Sequence, residues 1–166
     1  MISSFQVTAP LPSKVLLVED NEDDAMLARR ALKRLKGHIE VTHVDDGAKA
    51  ISFLEEALAS GDGKLPDAVL CDLKLPKRTG IEVLSWFRNR GGHVPFIMLT
   101  SSDQPDDIRA CQEAGADGYI QKPVDYDAYM RVMEEIEKFW FVTEKPDKDI
   151  EPAAFEQRFI RFAKLG

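Results

Sequence analysis

A doubly wound α/β domain is the fold this sequence predicts, and three observations predict it. Short apolar runs, Val15–Val18, Ala68–Cys71 and Phe96–Leu99, recur along the chain, too brief for helices and lacking the alternation of a half-wet strand. Segments with apolar residues at helical spacing separate them. Each run also ends on a polar group: Glu19-Asp20, Asp72 or Thr100. Buried strands alternating with helices imply a parallel sheet covered on both faces and joined by right-handed crossovers.

Taken in order, Met1 to Ser13, with Pro10 and Pro12, shows no usable period and reads as a flexible lead-in. Lys14–Val18 is the first strand. Asn21 can cap the next helix, with Glu22, Asp23 and Asp24 in its first turn where the macrodipole favours acids. Its inner face is Ala28, Ala31, Leu32 and Leu35, and Gly37 ends it. Ile39–Val44 reads as an edge strand because it carries Glu40 and His43. Asp46-Gly47 opens a second helix with Ala50, Phe53, Leu54 and Ala57 inward, and the stretch Ser60-Gly61-Asp62-Gly63 closes it.

Asp67–Cys71 is the third strand, and Leu73-Lys74-Leu75-Pro76 leaves it as a loop. Ile81, Val83, Leu84 and Phe87 mark a third helix, stopped by Gly91-Gly92. Pro95 introduces the fourth strand, Phe96–Leu99, which ends at Thr100. Ser101 to Pro105 opens a fourth helix, with Ile108 and Cys111 inward and Gly115 at its end. Asp117–Gln121 is a fifth strand followed by Lys122-Pro123. Asp125 caps a fifth helix striped by Tyr129, Val132, Met133, Ile136 and Trp140.

A chain of 166 residues, 44% apolar and 31% charged, suits one soluble domain with a short appendage. Its net charge of −7 argues against direct DNA binding, which needs clustered Lys and Arg. No signal peptide or membrane-length apolar run is visible, so a cytoplasmic protein that does not engage the membrane is expected. Cys71 and Cys111, forty positions apart, suit a reducing compartment and read as small buried hydrophobes. His38, His43 and His93 show no metal spacing and read as surface residues.

In doubly wound sheets the working groups gather beyond the carboxyl ends of the strands, and one common strand order is the flavodoxin-like one. Glu19, Asp20, Asp72, Thr100 and Lys122 all belong to that rim. Carboxylates about 4–5 Å apart repel by roughly 3–4 kcal/mol per pair at an effective dielectric near 20, so they need a cation. An all-oxygen set with several waters suits Mg²⁺, with Asp20 and Asp72 direct, Glu19 direct or through water, and the Lys74 backbone carbonyl as a further ligand. Asp72 can then act as a carboxylate nucleophile toward phosphorus, with Lys122 offsetting charge. Thr100 and Ser101 would contact the phosphoryl oxygens through a hydroxyl and a backbone N–H.

These residues resemble the receiver domain of two-component response regulators over roughly Lys14 to Val142. The resemblance rests on Val18-Glu19-Asp20-Asn21, Asp72 with Leu75-Pro76, Gly80, Leu99-Thr100-Ser101, and the run Gly115-Ala116-Asp117-Gly118-Tyr119-Ile120-Gln121-Lys122-Pro123. It implies a five-stranded parallel sheet in the order 2-1-3-4-5 and a phosphoryl group accepted by Asp72 from a histidine kinase. Glu19 and Asp20 would form the acidic pocket, and Thr100 and Tyr119 the switch pair. The protein would be a phosphoacceptor assisting its own phosphorylation and dephosphorylation rather than an enzyme. In the family the Lys-Pro bond is usually cis, which is expected of Lys122-Pro123. A narrower likeness, carried by the Asp20-to-Asp72 spacing, Pro66, the loop Leu75-Pro76-Lys77-Arg78-Thr79-Gly80 and Phe139-Trp140, is to the single-domain, commonly homodimeric regulators paired with bacterial phytochrome kinases.

Twenty-five residues follow Phe141. Thr143 to Asp149 reads as a charged linker. Beyond it Phe155, Phe159 and Phe162 stand at i, i+4, i+7, which predicts an amphipathic helical arm within 143–166 that must pack on its own domain or cross to a second subunit. The tail's five acids and five bases leave it without a DNA-binding stripe.

Three rival readings are weaker. A nucleotide site wants a Gly-rich turn where Glu19-Asp20-Asn21-Glu22 would repel phosphates. An aspartate-nucleophile phosphatase wants an acid two residues after its nucleophile, where this chain has Lys74. A phosphorylation-independent dimerisation or binding module would need a broken pocket.

Overall fold

The computed structural model describes residues 13–35, 38–61 and 63–138, together with the backbone of 159–161. The element order is β1 (Ser13–Val18), α1 (Glu22–Lys33), β2 (Ile39–Val44), α2 (Gly47–Ser60), β3 (Ala68–Cys71), α3 (Gly80–Asn89), β4 (Phe96–Thr100), α4 (Pro105–Ala114), β5 (Gly118–Gln121), α5 (Tyr126–Ile136) and β6 (Phe159–Arg161). The sheet order is β2-β1-β3-β4-β5-β6. The first five strands are parallel, as the alternation of apolar runs and helices predicts.

Burial follows the sequence pattern. All four residues of β3 and all five of β4 are buried, whereas β2, on the sheet edge, is mostly half-buried. Side chains alternate across the sheet and feed two cores. Leu17, Leu70, Leu99 and Ile120 meet Ala28 and Leu32 of α1 and Tyr129 and Met133 of α5 on one face. Leu16, Val69, Met98 and Tyr119 meet Leu54 of α2, Leu84 and Phe87 of α3, and Cys111 of α4 on the other. Cys71 and Cys111 are free and buried.

Side-chain caps start four of the helices. Asn21, Asp46, Thr79 and Asp125 accept from the amides of Asp24, Lys49, Glu82 and Ala128 at 3.0, 2.7, 3.2 and 2.8 Å. Helix α4 starts at Pro105, the last of the residues Ser101 to Pro105 expected to open it. Proline suits a first helical turn, and Ser102 holds the preceding residues as a loop through its bonds to Thr100 and Asp107. Asp67 and Asp117 fall just outside their strands, each accepting a backbone amide instead, from Lys14 at 2.7 Å and Phe96 at 2.8 Å.

The tail departs from expectation. Residues 159–161 form a strand antiparallel to β5, pairing Gly118 with Arg161, Tyr119 with Ile160 and Ile120 with Phe159. Phe159 is therefore in a strand and not on a helix. The physical reason is the open edge of β5, whose unpaired N–H and C=O groups can be satisfied by a segment rich in strand formers, something a short isolated helix cannot do. Phe155 and Phe162, the remaining positions of the predicted aromatic face, lie outside the described residues, as do the lead-in to Pro12, Gly37 and Trp140.

Candidate functional site

The carboxyl ends of β1, β3, β4 and β5 bring the predicted rim together. The ends of β1, β3 and β5 are held by a backbone bond that continues the ladder one step beyond the strand: Glu19 N–H donates to Val44 O at 3.0 Å, Asp72 N–H to Val18 O at 2.9 Å, and Lys122 N–H to Thr100 O at 2.7 Å. Glu19, Asp72 and Thr100 are buried and Asp20 is exposed. One carboxylate oxygen from each of Glu19, Asp20 and Asp72 lies within 4.8 Å of the others.

Lys122 supplies the counter-charge. Its Nζ donates to Asp72 Oδ2 at 2.8 Å and lies 2.5 Å from Glu19 Oε1 and 3.0 Å from Asp24 Oδ2. All three ammonium donors thus meet carboxylates, which is what a charge with only 8% side-chain exposure requires. Burial raises the Glu19 carboxyl to about 7 despite the Lys122 hydrogen bond that pulls it down, with the Asp72 charge adding to the rise. Burial alone would lower the Lys122 ammonium, but the bonds to Asp72 and Glu19 outweigh it and hold the ammonium above its ordinary value. The donor set of three carboxylates, one of them open to solvent, fits a hard divalent cation such as Mg²⁺ or Mn²⁺, which prefers oxygen ligands and retained waters.

The loop after Asp72 is packed closely against it. Gly80 N–H donates to Leu73 O at 2.9 Å, and a Cβ at Gly80 would stand 2.2 Å from the Asp72 carbonyl oxygen, so only glycine permits this approach of α3. The Lys74 amide faces Asp72 Oδ1 at 3.4 Å. Beside Asp20, a cavity of about 470 Å³ is lined by Leu73, Lys74, Pro76, Thr79 and Asp107 among others, leaving the pocket open on that side.

On the β4 and β5 side, Thr100 Oγ1 accepts from the Ser102 amide at 3.3 Å, and the Tyr119 hydroxyl donates to the Ser102 carbonyl at 2.5 Å. The Ser102 hydroxyl donates to Asp107. Tyr119 is 2% exposed, and burial raises its phenol, keeping it a donor. The Thr100 hydroxyl is therefore two hydrogen bonds from the Tyr119 ring, with Ser102 between them. Ser101, adjacent to Thr100, is exposed.

Three features differ from the sequence reading. The Lys122-Pro123 bond is trans, there being no cis peptide among the described residues. The trans form is the lower in energy by about 0.5–1 kcal/mol, and the lysine's four-carbon stem reaches the pocket without the cis turn. Asp24 joins the pocket through Lys122, although in sequence it is one of three similar acids in a helical first turn; its place three residues after the Asn21 cap is the only signal that sets it apart. His43 is half-buried rather than on the surface, and its Nε2–H donates to the Glu19 carbonyl at 2.8 Å.

The chain is similar to known proteins in sequence and fold. The chain is 39% identical over 132 residues to the probable methanogenesis regulatory protein FilR2 of Methanothrix harundinacea, covering 78% of this chain and 84% of that one. It is 31% identical over 134 residues to response regulator Rcp1 of Synechocystis sp., covering 80% and 91%. The structure of the Mn²⁺-bound form of Rcp1 overlays with a TM-score of 0.70, covering 82% of this chain and 99% of that one. The phosphorylated cyanobacterial phytochrome response regulator RcpA, 31% identical, overlays with a TM-score of 0.73, covering 81% and 98%. Residues 15–134 match the profile of the response regulator receiver domain, and with the acidic rim, the buried lysine and the 2-1-3-4-5 parallel sheet this places the chain in the response regulator receiver family.

Proposed function

We propose that this response regulator accepts a phosphoryl group on Asp72 from a histidine kinase and signals through a change at a protein surface. The observation that carries the reading is the convergence of Glu19, Asp20 and Asp72 within 4.8 Å, with the Lys122 ammonium 2.8 Å from Asp72. Asp72 Oδ attacks phosphorus, forming an O–P bond as the P–N bond to the donor imidazole breaks and its electron pair returns to the ring. Lys122 offsets charge on the transferring oxygens, and Thr100 Oγ1 and the Ser101 amide donate to them. Mg²⁺, held by Glu19, Asp20, Asp72 and the Lys74 carbonyl, would supply further positive charge there; the Mn²⁺-bound Rcp1 structure supports this choice. Hydrolysis later returns aspartate and phosphate, so the protein turns over its own phosphoryl group and is not an enzyme toward other substrates. Incubation with a small acyl phosphate and Mg²⁺, followed by intact mass, tests the reading.

The switch runs through Thr100, Ser102 and Tyr119. A phosphoryl oxygen that accepts from the Thr100 hydroxyl draws that side chain toward itself and away from the Ser102 amide, and Ser102 carries the change to Tyr119. The RcpA likeness supports a phytochrome kinase as the donor. Such a kinase needs an apolar landing beside the pocket. Met26 and Val124, the exposed large hydrophobics among the described residues at 51% and 82%, follow by two positions Asp24 and Lys122, which are bonded to each other. Val124→Asp is expected to slow transfer from the kinase at least about tenfold, a loss of one interface anchor, and to leave labelling by the small donor unchanged. Equal loss from both donors would place Val124 in the pocket's own machinery instead.

The reading includes a homodimer. The tail covers the edge of β5 within one chain, and exchange of β6 between two copies would keep every backbone pair while joining them. Deleting everything after Val142 is expected to convert a dimer to a monomer in solution-mass measurements; a truncated protein that stays dimeric would remove the tail from the interface. Among the described residues no helix is long and apolar enough to cross a membrane. We take the protein to act in the cytoplasm without direct DNA contact, in keeping with its net charge of −7.

A further inference from the structure

Two buried side-chain hydroxyls lack a hydrogen-bond partner among the described residues, those of Tyr126 and Tyr129. An unpartnered buried hydroxyl is costly, so each invites the question of what it serves. Tyr126 is only half-buried as a whole side chain, with the Arg30 and Arg34 guanidinium groups over its ring at 5.3 and 5.7 Å. Tyr129 is wholly buried.

The placement of Tyr129 is informative. Its ring belongs to the cluster of Leu17, Ala25 and Ile120. Leu17 and Ile120 precede Glu19 and Lys122 by two positions, and side chains two apart along a strand share a face. The ladder bonds of Glu19 and Lys122 carry that alternation past the strand ends. Ala25 follows Asp24. Side chains on a helix lean toward its N-terminus, which for α5 is the end nearest the carboxyl rim of the sheet. The Tyr129 ring therefore lies in the core layer next to the rim that carries Glu19, Asp24 and Lys122, and the charges that act on its phenol are those of Asp24, Lys122, Glu19 and Asp72.

We infer that Tyr129 is a positioning residue for Lys122, its hydroxyl taking up the ammonium when phosphoryl transfer draws Lys122 away from the carboxylates it now bridges. The inference rests on the phosphoryl-transfer reading above. At rest the ammonium's three donors go to Glu19, Asp24 and Asp72. Once Asp72 is a mixed anhydride its carboxylate charge is gone, and a buried ammonium that follows the phosphoryl oxygens needs an acceptor for any donor left over. The Tyr129 oxygen is a neutral acceptor already desolvated, and its own O–H can donate a hydrogen bond to Asp24 while it accepts. Burial, with the Asp24 charge next, raises the Tyr129 phenol, so it keeps that proton. A bond made in the reacting state and absent at rest lowers the barrier without strengthening the resting fold.

The test compares the full-length wild type with Tyr129→Phe and Tyr126→Phe. Phosphoryl incorporation from acetyl phosphate at saturating Mg²⁺ is followed by intact mass, and thermal midpoints are taken without metal or phosphodonor. Tyr129→Phe is expected to slow incorporation about tenfold, the worth of one hydrogen bond to a charged group, with an unchanged or higher thermal midpoint because an unsatisfied hydroxyl is removed. Tyr126→Phe should match the wild type in rate. A wild type that labels, with Tyr129→Phe labelling within twofold of it, overturns this inference alone. Slowing by Tyr126→Phe to the same degree, or a lowered midpoint accompanying the slower Tyr129→Phe, also overturns it by making the effect one of general packing. A wild type that takes up no phosphoryl group overturns the parent reading and this one together.

Discussion

Asp72→Asn is expected to reduce phosphoryl incorporation from a small acyl phosphate to below detection, while the folded protein remains. The carboxamide has the shape of the carboxylate but neither its charge nor its nucleophilic oxygen, so no acyl phosphate can form. The site tolerates the change at rest because Lys122 keeps Glu19 at 2.5 Å and Asp24 at 3.0 Å. Intact mass should show one phosphoryl addition on the wild type and none on the variant. A single addition surviving in Asp72→Asn would move the acceptor to another residue and remove the central step of the proposed function. Mg²⁺ should also bind the variant more weakly, since one of three carboxylates that lie within 4.8 Å has lost its charge.

Arg88→Ala is expected to have the largest effect on stability, and none on phosphoryl chemistry. Arg88 sits near the end of α3, where its guanidinium donates to Gly115 O at 3.1 Å, Gly92 O at 2.9 Å, Val94 O at 2.9 Å and Asp117 Oδ2 at 2.8 Å. That Asp117 oxygen also accepts the Phe96 amide, so one side chain ties α3, the end of α4 and the entries to β4 and β5. Arg88 and Asp117 have side-chain exposures of 20% and 16%, and truncating the arginine leaves a mostly enclosed carboxylate and three carbonyls short of a donor. A loss of about 3 kcal/mol follows, or a fall of ~10 °C in Tm, measured by thermal or urea unfolding. The contacts lie at the amino ends of the strands, opposite the acidic rim, so the variant that remains folded should label at the wild-type rate. A change of less than about 0.5 kcal/mol would show the network to be solvent-compensated.

The parts of the fold that were legible in the sequence are those whose signal is local. The apolar runs at Val15–Val18, Ala68–Cys71 and Phe96–Leu99 lie in buried parallel strands because a strand covered on both faces has no polar position to spare. The rim residues followed at once, since the carboxyl ends of parallel strands lie on one edge and Glu19, Asp72 and Thr100 stand there. At 159–161 the structure differs from the sequence reading because Phe155, Phe159 and Phe162 match a helical period, whereas what draws 159–161 into a strand is an open backbone edge on β5 that no sequence window around the tail contains. Asp24 was passed over for a similar reason: three adjacent acids in a first helical turn look alike until the packing of α1 against α5 turns one of them toward Lys122.

From β1 to α5 the order of residues by itself determined which segments are strands, which are helices and which chemical groups end each strand, because periodicity, caps and β-propensity act over a few neighbours. Which groups touch was decided only by the tertiary structure. Asp24 and Lys122 are 98 positions apart, and Asp72 and Lys122 are 50 apart. Contacts at such separations depend on how crossover helices settle onto the sheet, and shifts of an ångström there decide whether a buried ammonium meets two carboxylates or three and whether a buried tyrosine hydroxyl is left without a partner.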